Sequence, residues 1–337
     1  MQEGQYEITV PVIADRCLQA LVLGALEPEW EARFGARSYG FRPGRGCHDA
    51  IVAIHTTAKG KNAKRLWVID ADLKAAFDRI DHAGLLASLG TFPGKGMIAG
   101  WLKAGVIEKG WFTPTVEGTP QGGVLSPLMA NVVLHRLDRE WQQRYQRLGV
   151  IVRYADDLCI CCPTEQRAQA ALVVLRELLG GLGLALSGPK TQIVSVASGE
   201  NGFDFLGFHH RMVASRRHPS HRYPACWPSA KAMDRARSRI RDSTRRSRRH
   251  IPTHLLVSEL NQFLRGWRQY FRYGNSTRCF AKLDRYVDER MALLLSKRHG
   301  RRGRGHGLKL IIGSGNSLGL ERLAGTVVFK RTVHATQ

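Results

Sequence analysis

Val150-Ile151-Val152-Arg153-Tyr154-Ala155-Asp156-Asp157-Leu158-Cys159-Ile160-Cys161-Cys162 decides how this chain is read. Two apolar runs, Val150 to Tyr154 and Leu158 to Cys162, each suit a short buried strand. Only Ala155, Asp156 and Asp157 lie between them, so the pair is expected to be a tight hairpin with its acids at the tip. Upstream, Leu66 to Ile69 is a further short strand running into Asp70, Ala71 and Asp72. Helical periodicity marks Arg16 to Glu31, Leu85 to Leu89 and Arg167 to Leu182. Ser126 followed by Pro127 reads as a cap and first helical residue. Gln192 to Val196 and Phe203 to Phe208 add two strands, and beyond Pro228 the pattern turns helical, most clearly in Leu255 to Phe271 and Phe280 to Leu295. Gly300 to Gly307 reads as a Gly/Arg-rich linker or basic patch. The interleaving makes the fold class α+β, an antiparallel sheet backed by helices and followed by a helical domain.

Composition narrows the function class. With 337 residues, 43% hydrophobic and 23% charged, the chain is globular rather than disordered. No apolar run approaches the ~20 residues of a membrane span, and seven unevenly spaced cysteines give no disulfide framework. These features suggest a soluble, reduced, intracellular protein with no membrane partner. The net charge of +23 is concentrated in one part: residues 1 to 200 carry +2 and residues 201 to 337 carry +21. Such an excess implies a polyanionic partner. It is densest between Lys231 and His250, where Arg235, Arg239, Arg245, Arg246, Arg248 and Arg249 are candidate RNA-binding residues. Trp267, Tyr270 and Phe271 are either stacking surfaces or core, since they fall at helical spacing.

Asp72, Asp156 and Asp157 carry the chemistry. Carboxylates on neighbouring strands form the hard-oxygen cluster that Mg²⁺ prefers. Two such ions ~4 Å apart serve in-line phosphoryl transfer, which is polymerase chemistry. Asp70, two residues from Asp72 on one strand, is a supporting acid. Cys159 and Cys162 are read as buried thiols, and the His209, His210, His218, His221 and Cys226 group as phosphate contacts rather than a metal site.

Three ordered blocks resemble bacterial group II intron reverse transcriptases: Asp72-Leu73-Lys74-Ala75-Ala76-Phe77-Asp78, Gly118-Thr119-Pro120-Gln121-Gly122-Gly123-Val124-Leu125-Ser126-Pro127 and Tyr154-Ala155-Asp156-Asp157. The likeness extends from Ser38-Tyr39-Gly40-Phe41-Arg42-Pro43-Gly44-Arg45 to Leu264-Arg265-Gly266-Trp267-Arg268-Gln269-Tyr270-Phe271, and covers roughly residues 8 to 300. It implies a right-hand polymerase palm with partial fingers and a helical thumb or maturase domain. The expected bounds are residual fingers at 1–60, palm at 61–227, thumb/maturase at 228–300 and a basic tail at 301–337. It implies that Asp72 and Asp156 are the principal ligands of two Mg²⁺ ions and that Asp157 completes the cluster. Phe77 would lie under the incoming sugar, excluding a 2′-hydroxyl. Gln121 would contact the templating pair and Lys190 the leaving pyrophosphate, with Ala155 also among the nucleotide-binding positions. The implied partners are group II intron RNA, an RNA template with a DNA primer, and deoxynucleoside triphosphates, in the bacterial cytoplasm and at the nucleoid. Gln2 to Thr9 hold no Lys or Arg where the family has a basic fingers segment, so the chain reads as amino-terminally truncated. No endonuclease module is recognised after Arg302. Two readings stand: an RNA-directed DNA polymerase that also assists splicing, and an RNA-binding maturase or remnant without polymerase activity.

Overall fold

In the computed structural model, the described residues are 12–59, 65–108, 111–119, 122–312 and 318–328. Contacts divide the chain into two compact units, residues 1–201 and 202–337.

The first unit begins with α1 (Ile13–Arg33), longer than its periodicity predicts and continuous through Pro28. Buried Val22, Leu26 and Trp30 hold it on both sides of that proline. Next come α2 (Cys47–Ala58) and β1 (Trp67–Asp72), which carries its extended backbone through both acids instead of ending at Ile69. Two short helices, α3 (His82–Ser88) and α4 (Lys95–Leu102), precede a small hairpin of β2 (Val106–Glu108) and β3 (Trp111–Thr113). In α5 (Ser126–Glu140) the helix starts one residue earlier than its cap signal suggests. Leu125 takes the cap position because its carbonyl already accepts from Met129 N at 3.1 Å, which leaves Pro127 as the second helical residue. Strands β4 (Val150–Tyr154) and β5 (Asp157–Cys162), helix α6 (Glu165–Gly180) and strand β6 (Gln192–Ser195) complete the unit. Thr164 caps α6, accepting from Arg167 N.

The sheet runs β4-β5-β1-β6, antiparallel throughout. Strand alternation sends Ile69 and Ala71 of β1, and Leu158 and Ile160 of β5, into a core shared with Leu134 and Leu137 of α5 and Leu175 and Leu179 of α6. The same alternation sends Asp70, Asp72 and Asp157 to the opposite face. Cys159, Cys161 and Cys162 are buried free thiols.

The second unit opens with a three-stranded antiparallel sheet of β7 (Gly202–Phe205), β8 (Phe208–Ala214) and β9 (Arg222–Pro228). The expected single strand from Phe203 to Phe208 is instead a hairpin. Leu206 and Gly207 both have positive φ, 49° and 77°, which is the two-residue turn whose twist matches its flanking strands. Helices α7 (Ala230–Ser243), α8 (Thr253–Phe271), α9 (Thr277–Arg298) and α10 (Gly305–Ile312) follow. The last lies in the stretch read as linker and basic tail. Its Gly307 N donates to Ser296 Oγ at 2.8 Å, and Ile311, Leu320 and Leu323 are buried. The aromatic alternatives resolve to core: Trp267 packs on Phe271 and Phe280, Phe271 on Phe208, and the Tyr270 hydroxyl donates to Leu206 O. His210 is buried against Phe203, and His209 bonds Asp204. No described helix is long and apolar enough to cross a membrane.

Candidate active site

The β1–β5 register sets Asp72 directly opposite Asp157. Residues opposed in this way have Cβ atoms about 5 Å apart on one face. Tyr154 pairs with Asp157, so the turn is the two residues Ala155 and Asp156, and Asp157 is the first residue of β5 rather than part of the tip. Ala155 is buried at φ 55°, a left-handed conformation that an alanine holds only when its surroundings enforce it. Leu73 N reaches Asp156 O at 3.4 Å, which ties the end of β1 to the turn.

Lys190 arrives from the other side. Its segment is stitched to the end of β1 and the residues just beyond it through Ser187 N to Asp72 O at 2.8 Å and Lys74 N to Ala185 O at 2.8 Å. Lys190 Nζ donates to Asp72 Oδ2 at 2.6 Å, and this bond raises the ammonium's pKa. Burial raises the pKa of Asp156, with the Asp72 charge adding to it and Lys190 opposing. Asp157 is pushed up to about 6 by burial, then by Asp156, Asp72 and Asp70. The site therefore concentrates negative charge that the protein compensates only in part. Asp70 accepts from Gln192 Nε2 at the neighbouring strand.

Carboxylate oxygens that disfavour one another's ionisation match a divalent oxygen-seeking cation such as Mg²⁺. Among the described residues no three His, Cys, Asp or Glu side chains are closed around a single coordination point. The donor chemistry fits the ion, with Asp72, Asp156 and Asp157 as the side chains that would hold it.

A pH-dependent stability follows. Asp157 titrates near 6 in the folded chain against an ordinary value of 3.8, so its ionisation opposes folding. The stability it allows is fully present below about pH 4 and is lost as pH rises through about 6. Asp157→Asn is expected to raise stability at pH 8 by about 1 kcal/mol, allowing for solvent screening, and to have no such effect at pH 4. Thermal melts of both proteins at the two pH values check this; equal effects at both would contradict it.

Arg153, an arginine in an otherwise apolar strand, holds the turn in place. Its side chain is fully buried and uses all five donors: Nε and Nη2 on Asp138, Nη1 on Asn131 Oδ1 and Ala155 O, and Nη2 also on Ser38 Oγ at 2.7 Å. Asn131 Nδ2 in turn donates to Gly40 O at 2.8 Å. Gly40 lies against the turn, and a Cβ there would stand 2.3 Å from Ala155 N. Sequence reasoning missed Arg153, Asp138, Asn131 and Ser38; the one available signal was a charge inside an apolar strand.

Phe77 lies half-buried in a 3₁₀ turn (Ala76–Asp78) beyond β1 and meets Phe41 edge to face, with ring centroids 6.3 Å apart. Thr119 N donates to Phe77 O at 2.7 Å and Gly118 N to Ile80 O at 2.8 Å, which brings the Gly-rich block to Phe77. Gln121 falls outside the described residues. The candidate RNA-binding arginines lie in the second unit. Arg239 and Arg248 pair with Glu259, and Arg245 pairs with Asp242. Arg235, Arg246 and Arg249 are exposed.

Residues 3–210 match the family described as reverse transcriptase (RNA-dependent DNA polymerase), and residues 233–310 match the group II intron maturase-specific domain. Protein YkfC of Escherichia coli (strain K12) is 34% identical over 268 residues, 68% of this chain and 69% of that one. Group II intron-encoded protein LtrA of Lactococcus lactis subsp. cremoris is 38% identical over 134 residues, 39% of this chain but 22% of that protein's length. Apo telomerase from Candida tropicalis, truncated from the C-terminal domain, aligns with a TM-score of 0.43 at 16% identity, covering 60% of this chain and 44% of that one.

Proposed function

Because the chain belongs to the reverse transcriptase (RNA-dependent DNA polymerase) family and carries a group II intron maturase-specific domain, we propose that it extends a DNA primer on an RNA template and binds group II intron RNA to assist its splicing. The observation that carries the first part is the register that opposes Asp72 to Asp157 beside Asp156. Two Mg²⁺ ions at these oxygens would supply activation of the primer hydroxyl and neutralisation of charge on the leaving oxygen. The chain's own side chains do the rest. Lys190, already paired with Asp72, offers an ammonium to the leaving pyrophosphate. Phe77 underlies the incoming sugar and leaves no room for a 2′-hydroxyl, which selects deoxynucleotides. Ala155 shapes the turn against the nucleotide, and Gln121 contacts the templating pair. Such a protein works in the bacterial cytoplasm, at the nucleoid when bound to nucleic acid.

For RNA, the exposed Arg235, Arg246 and Arg249 are the stronger phosphate contacts, because Arg239, Arg245 and Arg248 already have carboxylate partners. Replacing the exposed three by Gln is expected to flatten the slope of log affinity against log salt by about 2 to 3. Filter-binding of structured intron RNA between 50 and 200 mM salt measures this; an unchanged slope places the contacts elsewhere.

Primer extension on poly(rA)/oligo(dT) with Mg²⁺ tests the polymerase reading. Salt-sensitive RNA retention together with dTMP incorporation supports it. RNA retention without incorporation leaves an RNA-binding maturase.

A further inference from the structure

Phe41 stands at φ 57°, a left-handed backbone that a bulky side chain seldom adopts, and the residue is 50% exposed. Its two neighbours are fixed. Gly40 is pressed on the Ala155 amide and its carbonyl is held by Asn131. Arg42 is buried, with bidentate bonds to Glu31 and further bonds to Gly35 O and Ser38 O at 2.7 Å. A strained residue between two anchors persists only because the surroundings over-determine it, and such strain collects where a side chain must be aimed. Here the aim is Phe77, edge to face at 6.3 Å, within the range of a favourable aromatic pair.

We propose that Phe41 is a positioning residue that fixes the ring of Phe77 and so sets discrimination against ribonucleotides, linking the sugar-facing wall to the Ala155–Asp156 turn through Gly40. The proposal rests on the reading of Phe77 as the residue under the sugar. The mechanism is steric. A Phe77 ring packed edge to face with Phe41 keeps one position, whereas a ring without that neighbour turns aside and opens space for a 2′-hydroxyl. Deoxynucleotide binding has no such requirement, so the two substrates respond differently.

The test measures the equilibrium affinity for dATP and for ATP of the full chain bound to poly(rU) and a dideoxy-terminated oligo(dA) primer, in Mg²⁺, and therefore needs no turnover. Phe41→Asn and Phe41→Gly both accept a left-handed backbone while removing the ring. Each is expected to reduce the preference for dATP over ATP about tenfold, the scale on which a pocket discriminates a small group. Phe41→Tyr keeps the ring and should keep the preference. Phe77→Ala is the control for the underlying reading. If Phe77→Ala removes the preference while both Phe41 variants retain it, the proposal is wrong and the role of Phe77 stands. If Phe77→Ala changes nothing, the role of Phe77 fails and the proposal falls with it. Equal losses of dATP and ATP affinity in the Phe41 variants make the residue merely structural and also overturn the proposal.

Discussion

Replacing Arg153 by Met is expected to lower the stability of the first unit by about 3–5 kcal/mol, because a buried charge pair loses one partner and strands the other. Asp138, whose side chain is 10% exposed, would remain as an uncompensated carboxylate, and Ser38 Oγ, Asn131 Oδ1 and Ala155 O would each lose a donor. In a thermal melt the loss corresponds to a fall of roughly 10 °C for a unit of this size. The companion variant Arg153→Met with Asp138→Leu removes both charges and should recover a substantial part of it. Failure of the double variant to exceed the single one would mean that packing, not charge, dominates at this site. Because Arg153 also donates to Ala155 O, the single variant is expected to impair primer extension even below its melting temperature.

Asp156→Asn is expected to reduce primer extension by about 10³-fold or more, since a charge that acts on the reacting groups is removed from a partly desolvated site. Its fold and RNA retention should be intact. Burial and the Asp72 charge already disfavour ionisation of Asp156, so a neutral amide of the same shape relieves repulsion, and the melting temperature should hold or rise at pH 8. Residual extension within tenfold of the parent would remove Asp156 from the chemistry. A variant that neither extends nor binds RNA would instead report a general loss of structure.

The acids were legible because their context is local. An apolar run on each side of Tyr154-Ala155-Asp156-Asp157 specifies a hairpin within thirteen residues, and the period of two then assigns Asp72 and Asp70 to one face of β1. The support behind them was not, because the partners of Arg153 lie 15, 22 and 115 residues away and no periodicity encodes such distances. The Phe203 to Phe208 hairpin escaped for a different reason. Phe203-Asp204-Phe205 alternates as a continuous strand would, and Leu206 gives no sign of its positive φ, so Gly207 alone marked the turn. Helix α10 was hidden by composition: Gly300 to Gly307 is rich in Gly and Arg, and its helix forms against Ser296 of α9 rather than from local propensity. Phe41 likewise lies within the stretch from Ser38 to Arg45, yet its strained backbone and its contact with Phe77 are tertiary facts.

The claim that Asp72, Asp156 and Asp157 together hold the catalytic ions is tested most directly by counting bound Mn²⁺, a paramagnetic substitute for Mg²⁺, by electron paramagnetic resonance. The sample is the full chain with poly(rA), dideoxy-terminated oligo(dT) and dTTP, with a no-protein control for ions carried by the nucleic acid. Two protein-dependent ions are expected for the parent chain and at most one for Asp156→Asn. The same count in both proteins would contradict it.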